Sequence, residues 1–404
     1  TGSVNFMIIG FCIGVCNGFA IPVAQKFGEK NFSQLRKFAA NGAWLSLGFA
    51  AVMTTVICML CRNILLWMNT PEDIIDFAYS YIVVIFLGIP ATYLYNMVSG
   101  ILRSLGDSKT PLYFLVMSSV LNVALDLFTI LVLKMGVAGA AWATVISQAV
   151  SGILCLLYMV KHFEILHMTK KEALPNKDMM KVLCGFGIPM GLQYSITAIG
   201  SIILQVAVNG LGSMSVAAMT AASRIGMFFC CPFDALGSTM ATYGGQNIGA
   251  RKLHRIGEGL KAAVLMGSVY SFLALAVLFT FGNTIALLFL DSDQVQILSQ
   301  VKQYLLITSS FFIPLVLVNV VRFLIQGMGY SKRAMFAGVC EMAARTAVGF
   351  LLVPRFGFLA ACFASPSAWI AADLFLIPSY FSIMRKLSRD ESGTNTPAAN
   401  NLLN

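Results

Sequence analysis

An all-α polytopic membrane protein is the fold this sequence predicts, and three observations predict it. Hydrophobic residues fill 58% of the 404 positions and charged residues only 11%, a balance outside that of soluble globular chains. About eleven apolar segments are long enough to cross the hydrocarbon core of a bilayer, and none has the period-two alternation of a membrane barrel. The chain also repeats itself at a spacing of about 220 residues, so its helices divide into two related halves.

The segments run in order at roughly 5–24, 40–61, 77–101, 111–133, 137–160, 182–208, 214–242, 260–281, 297–325, 334–353 and 357–383. About 20 residues suffice to span, and the longer ones allow tilt. Pro90 and Pro314 fall inside two of them and predict broken helices, because proline lacks an N–H and clashes with the preceding turn.

The formal charge of +10 segregates by loop. Lys26, Lys30, Arg36 and Lys37 form one basic group, and Arg103 and Lys109 the next. Lys161 to Lys181, Arg251 to Lys261, Lys332 with Arg333, and Arg385 to Arg389 follow. The alternate loops are short or acidic, with Glu72, Asp73 and Asp76 in one and Asp291 and Asp293 in another. Lys134 and Arg355 break the pattern. The positive-inside rule places the basic set and the C-terminus in the cytoplasm, so the charge does not signal a nucleic-acid partner. Most of the ten cysteines lie within apolar segments and read as small buried hydrophobes.

The repeat is visible in matched residues. Gln25 and Gly28 correspond to Gln246 and Gly249, and Tyr81, Asn96 and Gly106 to Tyr304, Asn319 and Gly329. GVAGAAWAT at 136–144 runs parallel to GFLAACFAS at 357–365. The second half opens with a helix near 182–208 that has no counterpart in the first. The expected organisation is therefore two six-helix lobes with eleven of twelve helices present, the first being absent, and a chain inactive without it. Residues 1–160 form the N-terminal lobe, 161–181 a cytoplasmic linker, 182–386 the C-terminal lobe and 387–404 a disordered tail.

Asp126 is the most informative residue. A carboxylate inside a membrane helix costs roughly 2.5–3.5 kcal/mol and marks a functional site by default. Asn122 lies one helical turn earlier, and Thr144 sits on the next segment. Together these oxygens suit a small hard cation or a proton. At the repeat spacing, Asn122 and Asp126 fall on Arg345 and Gly349; shared packing contacts would recur in both halves, and this set does not. In the second half Asp234 either lines a cavity that attracts a cation or pairs with Arg224. Met227 and Phe228 offer a soft aromatic lining, and Gln193 and Gln205 either join it or bind neighbouring helices. Glu341 and Arg345, four apart, form a structural ion pair or a gate. Asp373 has no evident local partner.

Several stretches carry a family resemblance: IPVAQ at 21–25, GILRSLGD at 100–107, LNVALD at 121–126, GVAGAAWAT at 136–144, GIP at 187–189 and GGQNIGA at 244–250. On these the chain resembles the multidrug and toxic compound extrusion family. The resemblance implies two six-helix lobes around a cavity of alternating access, with export driven by a sodium or proton gradient. It also implies that Asn122, Asp126 and Thr144 bind the coupling cation, with a further Asp on the absent first helix. A family variant with Glu on the seventh helix and Asp on the tenth is not matched, since 182–208 and 297–325 contain neither.

The expectation is a monomeric, multi-pass plasma-membrane antiporter, coupled to Na+ or H+, for amphipathic and cationic organic compounds. No cofactor is expected, nor any metal beyond Na+ at the trio. A flippase for a lipid-linked precursor is the alternative, and its phosphate-bearing cargo would call for a cavity rich in Arg and Lys. An enzyme is not expected: the three histidines lie in loops, and no HExxH, GxSxG or nucleotide-binding loop occurs.

Overall fold

The structure, a computed structural model, describes residues 2–67, 72–288, 290 and 294–392. Asp291 and Asp293 of the acidic loop, and the expected tail beyond Ser392, lie outside the described residues. Helices α1 (Gly2–Gly28), α2 (Phe32–Trp67), α3 (Glu72–Leu87), α4 (Ile89–Ser104), α5 (Lys109–Leu127) and α6 (Gly136–His162) come first. They are followed by α7 (Lys177–Asn209), α8 (Ser213–Gly249), α9 (Leu253–Ala286), α10 (Val295–Ser310), α11 (Phe312–Gly327) and α12 (Ser331–Ala347). Two short pieces, α13 (Val353–Phe356) and α14 (Phe358–Cys362), precede α15 (Ala364–Ser392). No strand occurs among the described residues. Without water in the hydrocarbon region, only internal i→i−4 bonding satisfies so many backbone groups.

Nine described helices are long and apolar enough to span singly, and the pairs α3–α4 and α10–α11 make two more as bent spans, of 41° and 52°. They correspond one to one with the eleven apolar segments. Each bend sits beside its proline: Pro90 occupies the first turn of α4 behind Gly88, and Pro314 the first turn of α11 behind Phe311. Pro22, Pro189, Pro232 and Pro378 instead lie within continuous helices. The expected tail needs correction at its start. Helix α15 continues to Ser392, because 387–392 is free of proline and glycine and Lys386 stands four residues before Asp390, a pair that favours helix.

The repeat extends to the backbone. Lys30 and Arg251, 221 positions apart, both adopt left-handed conformations (φ 57° and 55°). Gly106 and Gly329 do the same at 92° and 105°, and Gly136 and Gly357 at 57° and 62°. A π-helical turn follows α5 at Phe128–Val132, and another follows α12 at Val348–Leu352.

Two compact units form, residues 1–192 and the chain from Gln193 on, so the divide falls inside α7. In the first unit α7 meets α1 at Gly18 and Gly187, where a Cβ on Gly18 would lie 2.4 Å from the Gly187 Cα. Asn17 accepts a hydrogen bond from Arg103 at 3.1 Å and joins α1 to α4. The segment before α7 is fastened to α2 through a buried carboxylate. Arg36 donates to both oxygens of Glu172, from Nε at 2.9 Å and Nη2 at 2.7 Å, and Ser33 adds a third bond at 2.9 Å. Thr169 donates through its backbone N–H and its hydroxyl. Asn41 accepts from the Asn176 N–H at 2.7 Å, and Trp44 donates to Ala173 O at 3.0 Å. The Arg36 guanidinium, then the Thr169 N–H, holds the Glu172 carboxyl well below the ordinary carboxylate range.

In the second unit α8 and α11 share a seam of glycines. A Cβ on Gly327 would lie 2.2 Å from Ala241 O, and one on Gly237 2.7 Å from the Phe323 ring.

Two outcomes are expected. Gly327→Ala should destabilise by about 1–3 kcal/mol, because a backbone oxygen cannot yield to the methyl group. Gly257→Ala, with nothing within 4 Å, should be neutral or slightly stabilising; thermal unfolding in detergent compares the two. The clamp at Glu172 should contribute fully above about pH 4.3, the titration of an unfolded Glu, and fade as pH falls through its lower folded value. Acid titration of the unfolding temperature should show that loss in the wild type, and Glu172→Gln should lack it.

Candidate functional site

Helices α5 and α6 pack antiparallel along a ladder of small polar residues. Ser151 donates to Phe114 O at 3.0 Å and Ser118 to Ser147 O at 2.9 Å. One turn further along α5, Asn122 Nδ2 donates to Thr144 Oγ1 at 3.4 Å. The next turn brings Asp126, which this register sets opposite Ala140. There the ladder stops: Asp126 Oδ1 is buried and has no hydrogen-bond partner among the described residues. Thr144 meanwhile donates to Ala140 O at 3.0 Å, which leaves the lone pairs of its hydroxyl to other donors or to a cation.

The π turn begins two residues after Asp126. Thr129 within it donates to Asp126 O at 3.3 Å. A Cβ on Gly139 would lie 3.0 Å from the Thr129 side chain, so glycine permits α6 to approach there. The structure thus gathers Asn122, Asp126 and Thr144 at neighbouring levels of one helix pair, with one carboxylate oxygen uncommitted. No group of three His, Cys, Asp or Glu side chains that could hold a metal occurs among the described residues. One carboxylate with an amide and a hydroxyl suits a hard cation or a proton.

The residues expected to line a cavity in the second half separate. Met227, Phe228 and Asp234 are exposed on α8, and Met227 and Asp234 share a stripe at i and i+7. Gln193 is buried and accepts a hydrogen bond from Gln326 of α11. Gln205 donates to Asn209 at 2.9 Å along its own helix. Both glutamines are engaged with protein.

The pair Glu341–Arg345 is part of a larger cluster. Arg345 approaches Glu341 only to 3.8 Å and points an N–H at Thr197 O, 3.5 Å away. The closer partner of Glu341 is Arg322 of α11, and all three side chains are buried. Asp234 makes no ion pair with Arg224, and neither it nor buried Asp373 forms an ion pair with Arg322 among the described residues. The sequence signal was available in part. Arg322 and Gln326 stand four apart on α11, and an intramembrane arginine demands a counter-charge; which of three acids supplies it depends on helix packing. Glu341→Gln should leave two guanidiniums without their shared partner and destabilise by about 3–5 kcal/mol, read by thermal unfolding at neutral pH.

Comparison with known proteins agrees with this architecture. A family model described as MatE matches residues 1–128 and 189–351. The probable multidrug resistance protein YoeA of Bacillus subtilis (strain 168) is 27% identical over 296 residues, which cover 72% of this chain and 64% of that protein. The match therefore spans somewhat less than two thirds of YoeA. The probable multidrug resistance protein YpnP of the same organism is 29% identical over 344 residues, 83% of this chain and 74% of YpnP. A solved outward-facing conformation of a multidrug resistance MATE family transporter of the MOP superfamily superposes with a TM-score of 0.90. It covers 95% of this chain and 86% of that one at 20% identity, a likeness of fold. With a family model matching well over half its length and its helices arranged as in that transporter, this polytopic membrane chain belongs to the MatE family.

Proposed function

We propose that the chain is a cation-coupled antiporter that exports amphipathic, cationic organic compounds by alternating access, with Na+ or H+ bound at Asn122, Asp126 and Thr144. The observation that carries this reading is the uncommitted, buried Oδ1 of Asp126 beside the Asn122–Thr144 contact. Leaving such an oxygen dry and unpaired costs several kcal/mol, which a bound ion or proton removes. Membership of the MatE family and the multidrug names of YoeA and YpnP support export of many compounds. Exposed Met227 and Phe228 near Asp234 supply an adaptable, cation-attracting face.

The bound ion acts through a difference in affinity between the two orientations of the cavity. Only that difference lets a gradient bias the conformational equilibrium. The loop charges support a cytoplasmic C-terminus in a plasma-membrane protein. We take it to work as a monomer, without a cofactor and without nucleic acid. A phosphate-bearing lipid cargo is the weaker fit, since the intramembrane cations are few: Arg322 and Arg345 are buried and share Glu341, which leaves Arg224 exposed on α8.

Reconstituted into proteoliposomes, the protein should export a fluorescent organic cation under an imposed Na+ or H+ gradient. Asp126→Asn should lower that coupled flux by about 5–150-fold, the range of ordinary coupling free energies. A mutant that still follows the gradient at the wild-type rate would make the trio structural. Dye transport under neither gradient would favour the flippase.

A further inference from the structure

The geometry points to the strap at 169–174, in the first unit, as a binding site for anionic phospholipid headgroups at the membrane surface. The inference goes beyond the export reading and does not rest on which compound or ion is moved.

Helix α2 fixes the level of the membrane. It carries no charged residue between Lys37 and Arg62. Trp44 and Arg62 are both exposed, and the roughly 18 residues of helix between them rise about 27 Å, close to the roughly 30 Å of a hydrocarbon core. Leu47, Val52, Val56 and Met59 are the large apolar side chains exposed along that stretch. An interfacial tryptophan at one end and an arginine at the other anchor a span, so Trp44 marks one surface of the bilayer.

The strap is carried along α2 to that surface. Glu172 is bonded at Arg36, Ala173 at Trp44 and Asn176 at Asn41, so Ala173 is the residue held furthest toward the span. Leu174 follows it and is 62% exposed, at the level where headgroups meet acyl chains. The lysines beside it lie in a closed turn. Thr169 O accepts from the Glu172 N–H at 3.0 Å and the Ala173 N–H at 3.2 Å, and the Glu172 carboxylate accepts from the Thr169 N–H at 3.0 Å. Lys170 and Lys171 are the two residues between, and both are exposed. Glu172 is buried and engaged by Arg36 and Ser33, so the one acid of the turn subtracts nothing from the charge it presents. Across 161–181, five lysines stand against Glu164, Glu172 and Asp178.

Two ammonium groups beside an exposed leucine match the two parts of an anionic lipid, its phosphate and its acyl chain. An acidic protein in water would meet the lysines but not a leucine at the level of the acyl chains, which favours lipid. The turn is already ordered by its bonds to α2, so binding costs it little conformational entropy. On the loop-charge reading the leaflet is the cytoplasmic one.

Trp44 reports on the site, since its indole N–H donates to Ala173 O. The full chain, with Trp67, Trp142 and Trp369 replaced by Phe, is reconstituted in vesicles of phosphatidylcholine and phosphatidylglycerol, alike in both leaflets. One lipid at a time is brominated on its acyl chains. We expect brominated phosphatidylglycerol to quench Trp44 more than brominated phosphatidylcholine at equal mole fraction. With Lys170→Gln and Lys171→Gln together, the phosphatidylglycerol fraction giving half of that excess should rise about fivefold or more, at least the effect of one interfacial lysine. Lys332→Gln with Arg333→Gln, an exposed basic pair of the second unit, should leave the excess unchanged. Molar salt should abolish it in the parent. Equal quenching by the two lipids, quenching by neither, or an excess that survives the lysine substitutions or the salt overturns the assignment. An equal loss in the Lys332 and Arg333 variant overturns it too, since the preference would then be one of overall charge. Efflux does not enter the readout, so failure of the export reading and failure of the lipid site are distinguishable.

Discussion

Hydrocarbon offers a polar group nothing to bond to, and every feature of this chain answers that constraint. It makes the described spans helical, since an α-helix alone closes its own backbone bonds. It also disciplines the side chains. The hydroxyls of Thr55, Thr220, Ser271, Thr280 and Thr346 all turn back to a carbonyl four residues earlier. Ser118 and Ser151 reach across to a neighbouring helix, and Gln193 pairs with Gln326. Of the ten buried side-chain oxygens left without a partner among the described residues, eight belong to neutral hydroxyls or amides, and the two on carboxylates are the costliest to leave so. Asp126 Oδ1 and Asp373 Oδ1 are the two buried carboxylate oxygens without a partner among the described residues.

The same constraint explains what the sequence made legible. Length and hydropathy are local properties, so the eleven spans and both proline bends could be read directly. Asp126 stood out because a carboxylate within an apolar run is costly wherever the rest of the chain goes. Its neighbours were legible too, because Asn122 is on the same turn and the loop between α5 and α6 is short enough to fix their antiparallel register.

Pairings between distant helices were not legible in this way. Glu341 has an arginine four residues away, and local spacing alone selects Arg345. The structure prefers Arg322, nineteen positions earlier on another helix, since a side chain across an interface can approach end-on while an i,i+4 neighbour stays at 3.8 Å. Gln193 stays between a cavity lining and a helix contact in the sequence for the same reason: its partner Gln326 is 133 residues away. The π turns after α5 and α12 leave no mark in composition. Their presence at equivalent places in both halves shows that they belong to the repeat.

One scaffold therefore carries two different charge arrangements. The backbone of the two halves agrees in three pairs of left-handed residues, in its bends and in its π turns, so the repeat cannot by itself explain why the polar groups differ. Where the first half places Asn122 and Asp126, the second places Arg345 and Gly349. In the first unit a lone carboxylate is left with an oxygen open, which favours a cation from outside. In the second, Arg322 and Arg345 already supply the positive charge and share Glu341. An ion of either sign entering between Arg322 and Glu341 would break a bond that nothing else replaces. On the proposed reading the first arrangement binds a cation, and a shared fold can host two such different charge arrangements because the backbone asks nothing of these side chains.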